Sequence, residues 1–377
     1  MTRASTVKGP ALLAFVGAGG SHSLEAMVAA AHRAITLDLI QRAERCAAFQ
    51  KMIVATDDAE LASRLPSTVI IERTGSPFHF GECLRDIIRR HRLERPFYVG
   101  GGAGPLLSEQ ELLAIVRQLS SGDRLVIANN IFSSDIVAFT PGLAIESITL
   151  PERDNPLAQA LRLEAELTPV ELPRSATTLM DVDSPLDLAI LSLHPNIGPR
   201  TGELLASLPL DTSSLRAACA VFTDPDKHLL VAGRVSSQVW AYLESQTACR
   251  VRVFAEERGM EAEGRVGRGE VRSLLGFHLE QVGPTRFFRH LAELGDAAFI
   301  DSRVIFNHFH LHVSRPDRFL SDLGRPSAVR HPWVREFTEA ALSAPIPIVL
   351  GGHSLVSGGL MALVEAAWHE HDREIQP

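Results

Sequence analysis

A chain of 377 residues with 45% hydrophobic and 22% charged side chains is long enough for two globular domains, each with its own core. A formal net charge of -8 and a pI near 6.0 speak against a general nucleic-acid binder, and no apolar run approaches the roughly 20 residues a membrane helix needs. The four cysteines, Cys46, Cys83, Cys219 and Cys249, form no C-x-x-C pair, so neither a disulfide framework nor a zinc site is expected. With residues 11–16 too short for a secretory signal core, a cytoplasmic protein without nucleic-acid or membrane partners is expected.

The first apolar run, 11–17, reads as a buried strand ended by a glycine-rich turn, and helical composition follows over 24–32 and 35–47. Strands are then expected at 51–56, 68–72, 96–100 and 125–128, separated by helices from 59, over 83–91, and from the Ser108 cap to 119. The sheet continues through 133–139, and a helix is expected over 155–167. Gly and Pro cluster between His194 and Pro209, which marks a linker over 196–210 between domains at 1–195 and 211–377. The second pattern has strands at 229–232, 250–254, 297–306 and 346–350. Its helices are expected from the Ser236 cap to 243, over 273–294 with a break near Gly283-Pro284, over 334–341 and over 360–370. Strands alternating with helices imply layered α/β sheets that bind ligands at their carboxyl edges.

Five segments of the first half carry candidate chemistry. Gly17-Ala18-Gly19-Gly20-Ser21 lies between a strand and a helix, where successive backbone N–H groups form an anion site; a plain tight turn is the alternative. Val54-Ala55-Thr56-Asp57-Asp58 ends the second strand, and Gly100 to Leu107 and Ala128-Asn129-Asn130 end later ones. Met180-Asp181-Val182-Asp183-Ser184-Pro185-Leu186-Asp187-Leu188 enters a helix with Asp187 in its first turn. Asp181 and Asp183 are hard oxygen donors suited to magnesium.

In this order the segments resemble the GT-A-like nucleotidyltransferase superfamily, over residues of about 10–195. The resemblance is to guanylyl- and cytidylyltransferases of the molybdenum-cofactor and phospholactate type. It implies a mostly parallel layered sheet of nucleotide-diphospho-sugar transferase type, followed by a second α/β domain that resembles nothing recognised. It further implies transfer of NMP from an NTP to a small phosphorylated or cofactor-precursor acceptor. Gly17, Gly19, Gly20 and Ser21 would then hold phosphates, Asp57 would face base or ribose, and Asp181 and Asp183 would place Mg2+. The partner implied is a small-molecule nucleotide or phosphorylated ligand, with assembly into a homodimer left open. The family's metal-binding Asp before x-Pro-Leu falls on Gly102 or Ala103, and no Arg or Lys follows the first loop before Arg33. Two alternatives therefore stand beside transfer: a degenerate nucleotide- or ligand-binding protein, or an enzyme whose active site lies in the second half.

In that second half, Gly352-His353-Ser354-Leu355-Val356 lacks the final glycine of a hydrolase nucleophile elbow. An anion site of Arg303, Gly352, His353, Ser354 and Ser357 is expected there instead. His308, His310 and His312 alternate and would share one face of a strand, as a polar sheet face rather than a zinc site. Six arginines between 250 and 272 are largely countered by glutamates and read as a solvated loop.

Overall fold

The computed structural model describes residues 9–20 and 22–375. Its contacts divide into two compact units, the first holding residues through Gly20, 29–178 and 198–201, and the second the segment ending at Val28, 179–197 and 202 onward.

The first unit is built on seven strands: β1 (Ala11–Val16), β2 (Lys51–Thr56), β3 (Val69–Glu72), β4 (Pro96–Gly100), β5 (Leu125–Ala128), β6 (Ile136–Thr140) and β7 (Thr168–Glu171). They lie in the order β3-β2-β1-β4-β6-β5-β7, with β6 antiparallel to both neighbours and every other pairing parallel. All six residues of β1 are buried, because both faces of a central parallel strand are covered. Its side chains alternate between two cores: Leu13 and Phe15 enter one, and Leu12, Ala14 and Val16 the other. This is the layered, mostly parallel α/β sheet expected from the sequence. β7 was not expected, since its mostly exposed edge residues give no apolar signal. The helix expected over 155–167 is the shorter Leu157–Leu163.

Helix Glu109–Ser120 begins as its sequence dictates, with the Ser108 side chain accepting from the Glu111 amide and Glu111 bonding back to the Ser108 amide. Ser108→Ala should therefore cost about 1 kcal/mol, read as a lower urea midpoint at unchanged m-value. An unchanged midpoint would mean that this cap contributes nothing.

The second unit has four parallel strands, β8 (His228–Gly233), β9 (Arg250–Ala255), β10 (Ala297–Asp301) and β11 (Ile348–Gly351), in the order β11-β10-β8-β9. The strand expected over 297–306 stops at Asp301, whose side chain accepts from the Arg303 amide and starts helix Ser302–His308. His308, His310 and His312 consequently share no strand face. His308 ends that helix, buried, and accepts from the Ser273 amide at 3.1 Å. The break at Gly283-Pro284 falls where expected, between helices Leu274–Val282 and Pro284–Ala292.

Residues 179–195, expected with the first domain, pack in the second unit. Gly358 explains much of this: a Cβ there would stand 2.1 Å from the Leu179 carbonyl carbon, so only glycine admits this approach. The 196–210 stretch contains helix Pro199–Ser207 in place of an open linker. Among the described residues, no helix is long and apolar enough to cross a membrane.

Candidate functional sites

At the carboxyl ends of β1, β2 and β4 lies a cavity of about 860 Å³, lined by residues that include Phe15, Gly17, Asp57, Phe78, Phe80, Tyr98, Gly101 and Asp154. Two expected residues, Gly17 and Asp57, thus meet at one cavity. The Ala18 amide donates to Asp57 Oδ1 at 2.9 Å, tying the glycine loop after β1 to the end of β2. Gly19 has φ +83°, a left-handed conformation that favours glycine. Gly20 is exposed, and Ser21 lies outside the described residues. Gly101 packs against β1 so closely that a Cβ would stand 3.0 Å from the Phe15 carbonyl oxygen.

Asp58, the neighbour of Asp57, has a local duty. It caps helix Ala59–Arg64 through the Leu61 amide and pairs with Arg33 at 2.8 Å. Burial works against its charge, but the Leu61 amide and the Arg33 guanidinium hold it below the ordinary carboxylate value. Arg33 also reaches Glu60 at 3.1 Å, so its charge is committed to carboxylates.

The floor of the cavity is aromatic. Phe15, Phe80 and Tyr98 pack on one another with ring centroids 5.0 to 5.4 Å apart, and Phe78, 51% exposed, stands 6.4 Å from Phe15. The Tyr98 hydroxyl donates to Asp154 Oδ2 at 2.7 Å. Among the described lining residues the carboxylates are Asp57, Glu82, Glu152 and Asp154, and Arg153 is the only Arg or Lys. Sequence reasoning missed Phe78, Tyr98, Arg153 and Asp154. The signals were a Phe-His-Phe triplet and the charged turn between Pro151 and Pro156. Such a site can stack a planar ring, accept from amino or hydroxyl groups through its carboxylates, and offer loop amides to an anion.

Asp181 is half-buried and Asp183 exposed, both in the second unit. Among the described residues no group of three or more His, Cys, Asp or Glu is arranged to hold a metal.

The expected anion residues of the second unit gather beside a buried network of charges. Arg303 donates through Nη1 and Nη2 to Asp322 at 2.8 and 2.5 Å, and through Nη1 to Ser302 Oγ at 2.9 Å. Arg234 donates through Nε and Nη2 to Asp301 at 2.5 and 3.2 Å. Gly352 lies against Arg303, where a Cβ would stand 3.8 Å from Nε. Ser354 Oγ donates to Asp187 Oδ1 at 2.5 Å, while Asp187 Oδ2 accepts from the Ser184 amide and hydroxyl, each at 2.8 Å. Burial, with the Asp183 charge adding to it, raises Asp187 to about 7. Loss of hydration, then the Arg234 charge, lowers His353 from its ordinary value, with Asp301 opposing, although its side chain is exposed. The Ser357 amide donates to the Ser354 carbonyl at 3.2 Å, and the residue is half-buried.

No protein-family model matches the chain, and no curated protein matches it. Over about half its length the chain is similar to solved structures of nucleotidyltransferase type. One is a cytidylyltransferase from Leptospira borgpetersenii serovar Hardjo-bovis, at 16% identity over 53% of this chain and 93% of that chain, with a TM-score of 0.38. Another is CMP:2-keto-3-deoxy-manno-octonic acid synthetase complexed with CTP, at 12% identity over 49% of this chain and 97% of that one, with a TM-score of 0.34. A third is a manganese complex from Mycobacterium tuberculosis H37Rv, at 14% identity over 53% of this chain and 100% of that one, with a TM-score of 0.31. Likeness at this level identifies neither a substrate nor an activity, and the functional reading rests on the cavity.

Proposed function

We propose that the first unit is a nucleotide-binding module of nucleotidyltransferase type, which transfers NMP from an NTP to a small phosphorylated or cofactor-precursor acceptor. One observation carries this reading: an aromatic-floored cavity at the carboxyl ends of β1, β2 and β4, where the glycine loop and Asp57 meet. The rings pack against the base, Asp57 and Asp154 accept from base or ribose, and the amides of Gly17, Gly19 and Gly20 face the phosphates. In the transfer step an acceptor oxyanion forms a bond to the α-phosphorus in line with the departing pyrophosphate, whose bond to phosphorus breaks. A second reading, binding without transfer, is favoured by Gly102 and Ala103 where the resemblance requires Asp, and by four lining carboxylates against one arginine.

Thermal melts with each of the four NTPs test the proposal. At about 100 times its Kd a nucleotide should stabilise the protein by about 2.7 kcal/mol. Gly17→Val should weaken this at least tenfold without unfolding the protein, because no atom lies within 4 Å of a Cβ placed there. No shift with any NTP would sink both readings. Nucleotide binding without pyrophosphate release on adding phosphorylated acceptors would select the second. Mg2+ is proposed as the cation and Asp181 and Asp183 as its ligands; a magnesium dependence that persists in the double Asp-to-Asn variant would exclude them.

A further inference from the structure

The second unit contains a crevice of its own. Its chain runs from β8 to β9 on one side, then returns to place β10 on the other side of β8. Connections leaving adjacent parallel strands in opposite directions open a gap at their carboxyl ends, where α/β sheets hold ligands. Arg234 follows β8, Asp301 ends β10, and Gly352, His353 and Ser354 follow β11.

The charges at this edge are layered. Asp301 and Asp322 are 0% exposed, whereas the arginines they hold are 14% and 13% exposed. The acids therefore lie underneath and the guanidiniums above. Arg234 uses Nε and Nη2 on Asp301, and Arg303 uses both Nη atoms on Asp322. Neither Arg234 Nη1 nor Arg303 Nε bonds to an acceptor among the described residues, and neither is a buried orphan. Gly352 leaves the Nε edge of Arg303 uncovered. Arg318 adds a third positive charge near Arg303 and Asp322, with its Nε buried and without a partner. His353 is exposed and Ser354 half-buried.

A guanidinium pinned on one edge by a buried carboxylate presents its other donors in fixed directions, as bidentate recognition of an oxyanion requires. Gly352 leaves room beside Arg303 for a ligand atom, and the unbonded donors of Arg234 and Arg303 are available to it. We propose that the carboxyl edge of β8, β10 and β11 is a second ligand site, which takes the phosphate or carboxylate group of a small molecule through Arg234, Arg303 and His353. It is separate from the nucleotide cavity and does not depend on that reading.

The test is calorimetric titration of the full chain with inorganic phosphate and, separately, with succinate, at constant ionic strength set by chloride. Saturable binding of either probe is expected, and the probe that binds names the group. Gly352→Val, which covers the Nε edge at an ordinary contact distance, should weaken binding at least tenfold. His353→Ala, which leaves Asp301 its Arg234 partner, should weaken it several-fold and serves if Gly352→Val does not fold. Gly17→Val should leave it unchanged. Absence of saturable binding by both probes overturns the proposal. So does binding that survives both second-unit variants but falls with Gly17→Val, a result that would move the anion to the glycine loop and leave the nucleotide reading intact.

Discussion

Arg234→Met should destabilise the protein by about 3–5 kcal/mol, because it leaves Asp301 buried and without its counter-charge. Asp301 is 0% exposed, and its low pKa survives burial only through the Arg234 charge and hydrogen bonds, with smaller help from His353 and Arg303. The geometry admits no easy retreat. Gly233, at φ +116°, sits where a Cβ would be 2.4 Å from Asp301 Cβ, so the strand end is closed over the carboxylate. Removing both charges in Arg234→Met/Asp301→Leu should recover much of the loss, since replacing a buried pair by apolar groups is often nearly neutral. Recovery will be incomplete, because Asp301 also accepts from the Arg303 amide. Urea titrations of the single and double variants measure this. A single-variant loss below about 1 kcal/mol would show that Asp301 protonates or meets water at little cost.

Asp187 should make stability fall as pH rises from acid towards neutrality. Its folded value of about 7 lies above the ordinary 3.8, so the folded state keeps a proton that the unfolded chain releases. The contribution is fully present below the ordinary value and lost as pH rises through about 7, with a span of about 4 kcal/mol. Asp183 adds repulsion, and Arg303 is the cation that opposes it. Asp187→Asn carries no such proton. Its stability relative to the parent should improve by about 4 kcal/mol between about pH 4 and about pH 8, read from urea midpoints at each pH. A constant difference between the two proteins would mean that Asp187 stays ionised throughout.

Much of the first sheet could be read directly, because central parallel strands are covered on both faces and appear as unbroken apolar runs such as Ala11–Val16. β7 could not, since its residues are mostly exposed at an edge. The strand end at Asp301 was missed for another reason: Val304, Ile305 and Phe306 prolong the apolar run, and only the Asp301 cap turns it into a helix. Gly17 and Asp57, which line one cavity, stood out as candidates because loops at strand carboxyl ends carry local signatures. Tyr98 and Asp154, 56 residues apart, meet only in the fold. The same holds for Arg234 with Asp301 and for Asp187 with Ser354, which are 67 and 167 residues apart. The run around Asp187 was prominent, yet nothing local showed that its carboxylate would be buried against a serine from the far end of the chain.

The claim that a nucleotide occupies the cavity at the ends of β1, β2 and β4 is tested most directly by photoaffinity labelling. The full chain is irradiated with azido-substituted NTPs, and the modified peptides are mapped by mass spectrometry. Labels should fall on peptides carrying Phe78, Tyr98 or Arg153 and should be suppressed by excess unmodified NTP and by Gly17→Val. Labelling confined to residues 228–375, or labelling that excess NTP does not suppress, would contradict it.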